Sequence, residues 1–134
     1  MTAWLPGILL VAIGGAVGGM ARFWLSGVVA RNYGETFPWG TMAVNVSGAA
    51  GIGVLAALLL ADGTHAVEDA PRWALLAIGM LGSYTTVSSF SLQTLALLRD
   101  GEPQRAALNV AGSLVLCLGA AGAGYAAVLA IAGG

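Results

Sequence analysis

The stretch Gly79-Met80-Leu81-Gly82-Ser83-Tyr84-Thr85-Thr86-Val87-Ser88-Ser89-Phe90-Ser91 decides how this chain folds. It lies in the middle of an apolar segment, Trp73–Leu98, long enough to cross a bilayer. Two glycines, Gly79 and Gly82, weaken a helix there. Hydroxyls from Thr85, Thr86, Ser88, Ser89 and Ser91 follow, with Phe90 among them. In lipid, irregular backbone is tolerated only where protein buries it or where it lines a cavity. A broken helix rich in small donors therefore points to an ion site near mid-membrane.

The rest of the sequence agrees with a membrane setting. Of 134 residues, 58% are hydrophobic and 8% charged, against about 25% charged in a soluble domain. Four stretches meet the length and polarity of a spanning helix: Leu5–Ala30, Pro38–Ala61, Trp73–Leu98 and Arg105–Ala132. Short polar segments join them, and Trp4, Tyr33, Phe37, Trp39 and Trp73 sit near their ends, where amphipathic rings favour the interface. The expected architecture is all-α: one domain over residues 1–134, a multi-pass protein of the cell membrane whose third helix is broken. The first segment lacks a basic stretch before its apolar run and reads as a retained span. Gly14, Gly15, Gly18 and Gly19 in the first span, and Ala49 and Gly53 in the second, are spaced for close helix contact. Four thin helices enclose little, so an oligomer is expected.

Composition also excludes. No basic run exists to follow a phosphate backbone, so nucleic acid is not a partner. His65 is the only histidine and lies in a polar loop beside Glu68 and Asp69, which leaves no enzyme constellation. Cys117 stands alone, so it has no intrachain disulfide partner and reads as a small packing residue. No acidic residue lies within a span, which argues against a proton-coupled transporter of the small multidrug type. The spans carry neutral polar groups instead. Asn45 lies deep in the second and is read either as an interhelical hydrogen-bonding residue or as the lining of a wet vestibule. Asn109, Ser113 and Cys117 share one face of the fourth at spacings of four. Arg22, well inside the first span, must snorkel or reach an aqueous mouth. A phenyl ring has a positive edge, so Phe90 set edge-on stabilises a small anion without holding it tightly. Hydroxyls of Thr86, Ser88 and Ser89 would replace part of that anion's hydration shell.

These residues resemble the Fluc (CrcB-type) fluoride channels. Gly14-Gly15-Ala16-Val17-Gly18-Gly19-Met20-Ala21-Arg22 is similar to that family's glycine-rich first span. Gly40-Thr41-Met42-Ala43-Val44-Asn45-Val46-Ser47-Gly48 resembles its second-span motif, and Gly79 to Phe90 its third-span break. The resemblance implies a passive fluoride-selective channel that confers fluoride resistance, and an antiparallel, dual-topology dimer with two pores. It further implies a structural sodium ion at the dimer centre, held by the backbone carbonyls of Gly82 and Thr85. Asn45, Thr86, Ser88, Ser89, Phe90, Asn109 and Ser113 would line the anion path, with Arg22 a vestibule or structural residue.

Two positions depart from the pattern: Val87 stands where the family has a first pore phenylalanine, and Gln93 where many members have glutamate. The second subunit is therefore either another copy of this chain or a paralogue. Arg31, Arg99 and Arg105 on one side against Arg72 on the other favour both termini outside, whereas a self-pairing dual-topology chain should show almost no bias.

Overall fold

The computed structural model describes residues 5–60 and 71–133. Trp4, Ala61 and the polar segment holding His65, Glu68 and Asp69 lie outside the described residues. Four helices are long and apolar enough to cross a membrane: α1 (Leu5–Tyr33), α2 (Trp39–Leu60), α3 (Pro71–Arg99) and α4 (Pro103–Ala132). α1, α3 and α4 run one to three residues past one or both expected ends, because the turn chemistry rather than the apolar run sets the boundary, whereas α2 begins one residue inside its expected start. Gly34, with φ 79°, ends α1 and donates to the Ala30 carbonyl at 2.9 Å. Gly101, with φ 75°, ends α3: its N–H meets Leu98 O at 3.2 Å and the Glu102 N–H meets Leu97 O at 2.8 Å. That pair of bonds is the glycine-terminated cap in which left-handed backbone satisfies the last carbonyls. Pro103 then opens α4, where its missing N–H costs nothing.

The third span is irregular, as expected, but the glycines are not where it breaks. Its first half winds as a π-helix over Ala74–Leu81, flanked by single α-turns at Pro71–Trp73 and Gly82–Tyr84. Its second half is α-helical over Val87–Arg99. Between them Thr85 (φ −78°, ψ 159°) and Thr86 (φ −151°, ψ 123°) are extended. Two adjacent β-branched residues suit extended backbone. Leu81 O closes the first half by accepting both the Thr85 N–H and the Thr85 hydroxyl at 3.0 Å. The Thr86 hydroxyl opens the second by accepting the Ser89 N–H at 3.1 Å, an N-cap.

Small residues decide the packing. A Cβ on Gly18 would run into the Met80 carbonyl and the Ser83 hydroxyl, and one on Gly14 would lie 2.8 Å from the Met80 nitrogen. Gly79 is equally tight, 2.8 Å from Val11 O. The glycine of the π-helical stretch therefore serves contact with α1 rather than a break. On the other side of the bundle Gly53 faces Ala121 O, and Gly124 faces Ala50 O, at distances no side chain would permit. These contacts fix α1 on the first half of α3, and α2 on α4, by backbone approach, the packing mode of membrane helices. The core is α2: Val44 is fully buried, and Thr41, Met42 and Ala57 are nearly so. The outer faces stay apolar and exposed, with Phe23, Trp24, Val115 and Leu118 among them, as lipid contact requires.

The two glycine faces of α1 separate these roles. Gly14 and Gly18 are buried, whereas a side chain at Gly15 or Gly19 would meet open space. Gly18→Val is expected to abolish the monodisperse peak on size-exclusion chromatography in detergent, and Gly15→Val to elute as the parent does. Overpacking costs about 1–3 kcal/mol even where side chains can yield, and a backbone carbonyl yields less. Equal behaviour of the two variants would contradict the packing described.

Candidate functional site

The break is held by one side chain. Asn45, one turn and a half into α2, gives its Nδ2–H to Thr86 O at 2.9 Å and takes the Thr86 N–H on Oδ1 at 2.8 Å. The carboxamide thus pairs with both polar groups of an extended residue, as a neighbouring strand would. Both readings of Asn45 meet here: it is an interhelical hydrogen-bonding residue, and it also lines a cavity. Gly48, one turn further along α2, leaves room for the Thr85 methyl and the Tyr84 ring. Ser47 shares a 2.7 Å hydrogen bond with the Tyr84 hydroxyl.

Around the break the hydroxyls form a cluster. Thr86 is buried; its Oγ1 donates to Ser89 Oγ at 3.2 Å and lies 3.1 Å from Ser88 Oγ. The Ser89 hydroxyl proton has no acceptor among the described residues. Two cavities meet this cluster. One, of about 720 Å³, is a vestibule at the end where α1 joins α2 and α3 joins α4. Thr41, Ser89 and Gln93 line it, with Glu35, Asp100, Glu102 and Arg105 as its charged residues. Glu102 pairs with Arg105 at 3.3 Å, an exposed contact of little energetic weight. The other, of about 590 Å³, is a groove between α2, the break and α4. Asn45, Thr85, Thr86, Phe90 and Ser113 line it, as do Val87 and Cys117, and among the described residues no charged one does.

Most of the expected site residues therefore converge. Asn45, Thr86, Phe90 and Ser113 share the groove, and Ser89 opens on the vestibule. Ser88 joins through the Thr86 hydroxyl. Val87 stands beside Phe90 in the groove and is 78% exposed, so the missing aromatic falls on an open face. Gly82 and Thr85 lie on the same groove. Gly82 is exposed, and no hydrogen bond reaches the Thr85 carbonyl among the described residues. Two residues stand apart. Arg22 lines neither cavity and makes no ion pair among the described residues; its carbonyl accepts the Ser26 hydroxyl at 2.7 Å. Asn109 is 2% exposed and lines neither cavity, its Nδ2–H bonded to Thr94 Oγ1 at 2.9 Å. Thr94 was not among the expected residues. The available signal was a hydroxyl four residues after Phe90, the spacing at which threonine bonds a preceding carbonyl.

A broken span, an asparagine clamp and a hydroxyl cluster between two cavities thus lie together in the structure. Residues 9–125 match the protein family described as "CrcB-like protein, Camphor Resistance (CrcB)". The chain belongs to this family. Among its relatives, "Fluoride-specific ion channel FluC 2" of Rhodopseudomonas palustris (strain BisB18) is 59% identical over 129 residues, covering 96% of this chain and 97% of the relative. "Fluoride-specific ion channel FluC" of Opitutus terrae is 53% identical, covering 92% of each chain. "Fluoride-specific ion channel FluC 2" of Bradyrhizobium diazoefficiens is 51% identical over 90% of this chain and 88% of the relative. CrcB-like proteins are a channel family, not an enzyme family, and this member is a multi-pass membrane protein.

The clamp gives a direct test. Asn45→Leu removes both bonds to Thr86 and leaves a buried peptide unpaired, a loss of about 1–3 kcal/mol. The variant is expected to melt several degrees below the parent in detergent, followed by far-ultraviolet circular dichroism. Asn45→Ala in place of leucine should do the same, and an unshifted midpoint in both would show that the clamp carries no stability.

Proposed function

We propose that this chain is a subunit of a fluoride-selective channel that lets fluoride leave the cell passively, and so confers fluoride resistance. The observation that carries the reading is the hydroxyl cluster Thr86–Ser88–Ser89. It joins the vestibule to a groove that no charged residue lines among the described residues. Fluoride is small and strongly hydrated, so a path must supply donors in place of water, yet release the ion quickly. Thr41, Ser89 and Gln93 offer neutral donors at the vestibule. Ser89 is poised to donate, because the Thr86 proton already occupies one of its lone pairs. Beyond the break the ion meets the edge of the Phe90 ring and the Ser113 hydroxyl. Asn45 holds the Thr86 peptide so that these groups stay aligned, and Asn109 ties α4 to α3 through Thr94. Among the described residues no cationic side chain lines the groove, so no side chain there would trap the anion. Arg22 stands outside this route and acts on packing or on the potential of the mouth.

The active assembly in this reading is an antiparallel pair. A single chain leaves the groove open and the extended Thr85–Thr86 backbone beside it, and open irregular backbone does not face lipid. A second subunit in the opposite orientation would close that face. Gly82 and Thr85 fit a hard cation on chemical grounds: one position is exposed and without a side chain, and the other has a carbonyl with no hydrogen-bond partner among the described residues. Their carbonyls, doubled across a two-fold axis, would hold a sodium ion that fixes the two breaks against each other. The partner is a second copy or a paralogue, and the numerals in the relatives' names accord with either.

The decisive experiment is fluoride efflux from liposomes holding only this chain, read with an electrode and with chloride as control. Fluoride efflux well above that of empty liposomes, with little chloride efflux, is expected, and Phe90→Ile is expected to cut it at least tenfold while the protein stays dimeric, since the ring edge is lost. Full fluoride flux in a folded Phe90→Ile protein would remove Phe90 from the path. Efflux appearing only when a paralogue is co-reconstituted would assign the chain to a heterodimer.

A further inference from the structure

The most deeply buried polar side chain among the described residues lines neither cavity. Asn109 and Val44 are the largest side chains that are fully buried. Around Asn109, α4 is otherwise largely exposed: Leu108 is 63% exposed and Val110 45%. Its amide N–H goes to Thr94 Oγ1 at 2.9 Å, and that hydroxyl in turn donates to the Phe90 carbonyl at 2.7 Å. One hydroxyl therefore accepts from α4 and donates to the backbone of the residue whose ring lines the groove. It is the sole side-chain hydrogen bond between α4 and the second half of α3 among the described residues.

We infer that Thr94 and Asn109 form a positioning pair that sets the distance between Phe90 and the α4 wall, and with it the halide selectivity of the path. The inference rests on the reading of the groove as a fluoride route. The opposite wall comes from α4 residues flanking Asn109 on the same helix: Val110, one residue on, and Ser113, one turn on. The close backbone contacts that anchor α4, at Gly53–Ala121 and Ala50–Gly124, lie three turns or more beyond Asn109 and engage α2, not α3. Among the described residues, the other hydrogen-bonded link between α4 and the Phe90 segment is the Gly101–Glu102 turn, whose bonds to Leu97 O and Leu98 O join the two helix ends about two turns from Phe90. Without the pair, α4 is held near Phe90 by neither a hydrogen bond nor a close backbone contact and can shift to widen the passage. A wider passage favours chloride, which the narrow one excludes by size, more than fluoride, the smallest halide. The sign is therefore a fall in the fluoride-to-chloride ratio. The ratio does not depend on how much protein is active, so a merely structural loss would leave it unchanged.

The test is liposome efflux of fluoride and of chloride from the full chain and from Thr94→Val, Thr94→Ser, Asn109→Leu and the double Thr94→Val/Asn109→Leu variant. Thr94→Val keeps the side-chain shape and orphans the buried amide, so the ratio is expected to fall about tenfold. Thr94→Ser retains the hydroxyl and is expected to restore the parent ratio. Asn109→Leu leaves no orphaned amide and carries the comparison if Thr94→Val does not fold; it too is expected to lower the ratio. The double variant is expected to match Asn109→Leu within about twofold, because residues that act as a pair are not additive. An unchanged ratio in folded Thr94→Val or Asn109→Leu, or losses that multiply in the double variant, would overturn the pair. Absence of fluoride efflux from the parent chain, or full flux in Phe90→Ile, would instead overturn the fluoride route on which it rests.

Discussion

Everything in this structure turns on a single carboxamide. A transmembrane helix that opens into two extended residues exposes peptide groups that lipid cannot satisfy. Asn45 meets that constraint by pairing with the N–H and the carbonyl of Thr86 together. Its placement beside fully buried Val44 on the best-buried helix makes the clamp rigid. Once Thr86 is held, its hydroxyl is aimed at the Ser89 N–H, and the second half of the span starts with a satisfied cap. The hydroxyl cluster then follows from helix geometry, because the second and third positions of the new helix are Ser88 and Ser89.

The glycines make this arrangement possible without taking part in it. Gly14 and Gly18 bring α1 against the first half of α3, and Gly53 and Gly124 bring α2 against α4. The break is thereby suspended between two tightly packed pairs. The first half of the span belongs to one pair; the second half reaches the other through Thr94 and Asn109. An aperture formed at such a seam once a second subunit closes it would be set by both flanks, fixed where the tie is a backbone contact and adjustable where it is a hydrogen bond. Membrane helices gain little from apolar burial among themselves, so this contrast between backbone contact and polar link carries more weight than it would in water.

Much of this was legible in the sequence. Four spans and the broken third helix followed from apolar length and hydroxyl density, and the grouping of Asn45 and Ser113 with Thr86, Ser89 and Phe90 was implied by the family resemblance. The site of the break did not. Glycine is a helix breaker by local propensity, so Gly79 and Gly82 drew attention, but tertiary contact spends Gly79 on α1 and leaves both helical. The break fell on Thr85 and Thr86, where β-branching and a partner 41 residues away coincide. The π-helical winding of Ala74–Leu81 left no periodic trace, because that stretch is apolar on every side. Thr94 was missed for a related reason: its spacing from Phe90 was visible, but its value comes from Asn109, fifteen residues on, across a turn whose geometry only the folded chain supplies.

The direction of charge along the proposed route adds one more constraint. The vestibule has Glu35, Asp100 and Glu102 against Arg105 alone, and Arg105 is already paired with Glu102. Such a mouth does not concentrate anions. A fast anion path behind it would have to draw its attraction from dipoles inside: the Ser89 hydroxyl, the Thr86 cap and the Phe90 ring edge. Dipoles act over short range and discriminate by contact, whereas a fixed cation attracts every anion alike and holds it. A neutral, donor-lined constriction behind an acidic mouth therefore favours selectivity over local concentration. That balance suits an ion that reaches its exit by being expelled down its own gradient, and it makes the spacing of the neutral groups, rather than net charge, the quantity that the fold must hold constant.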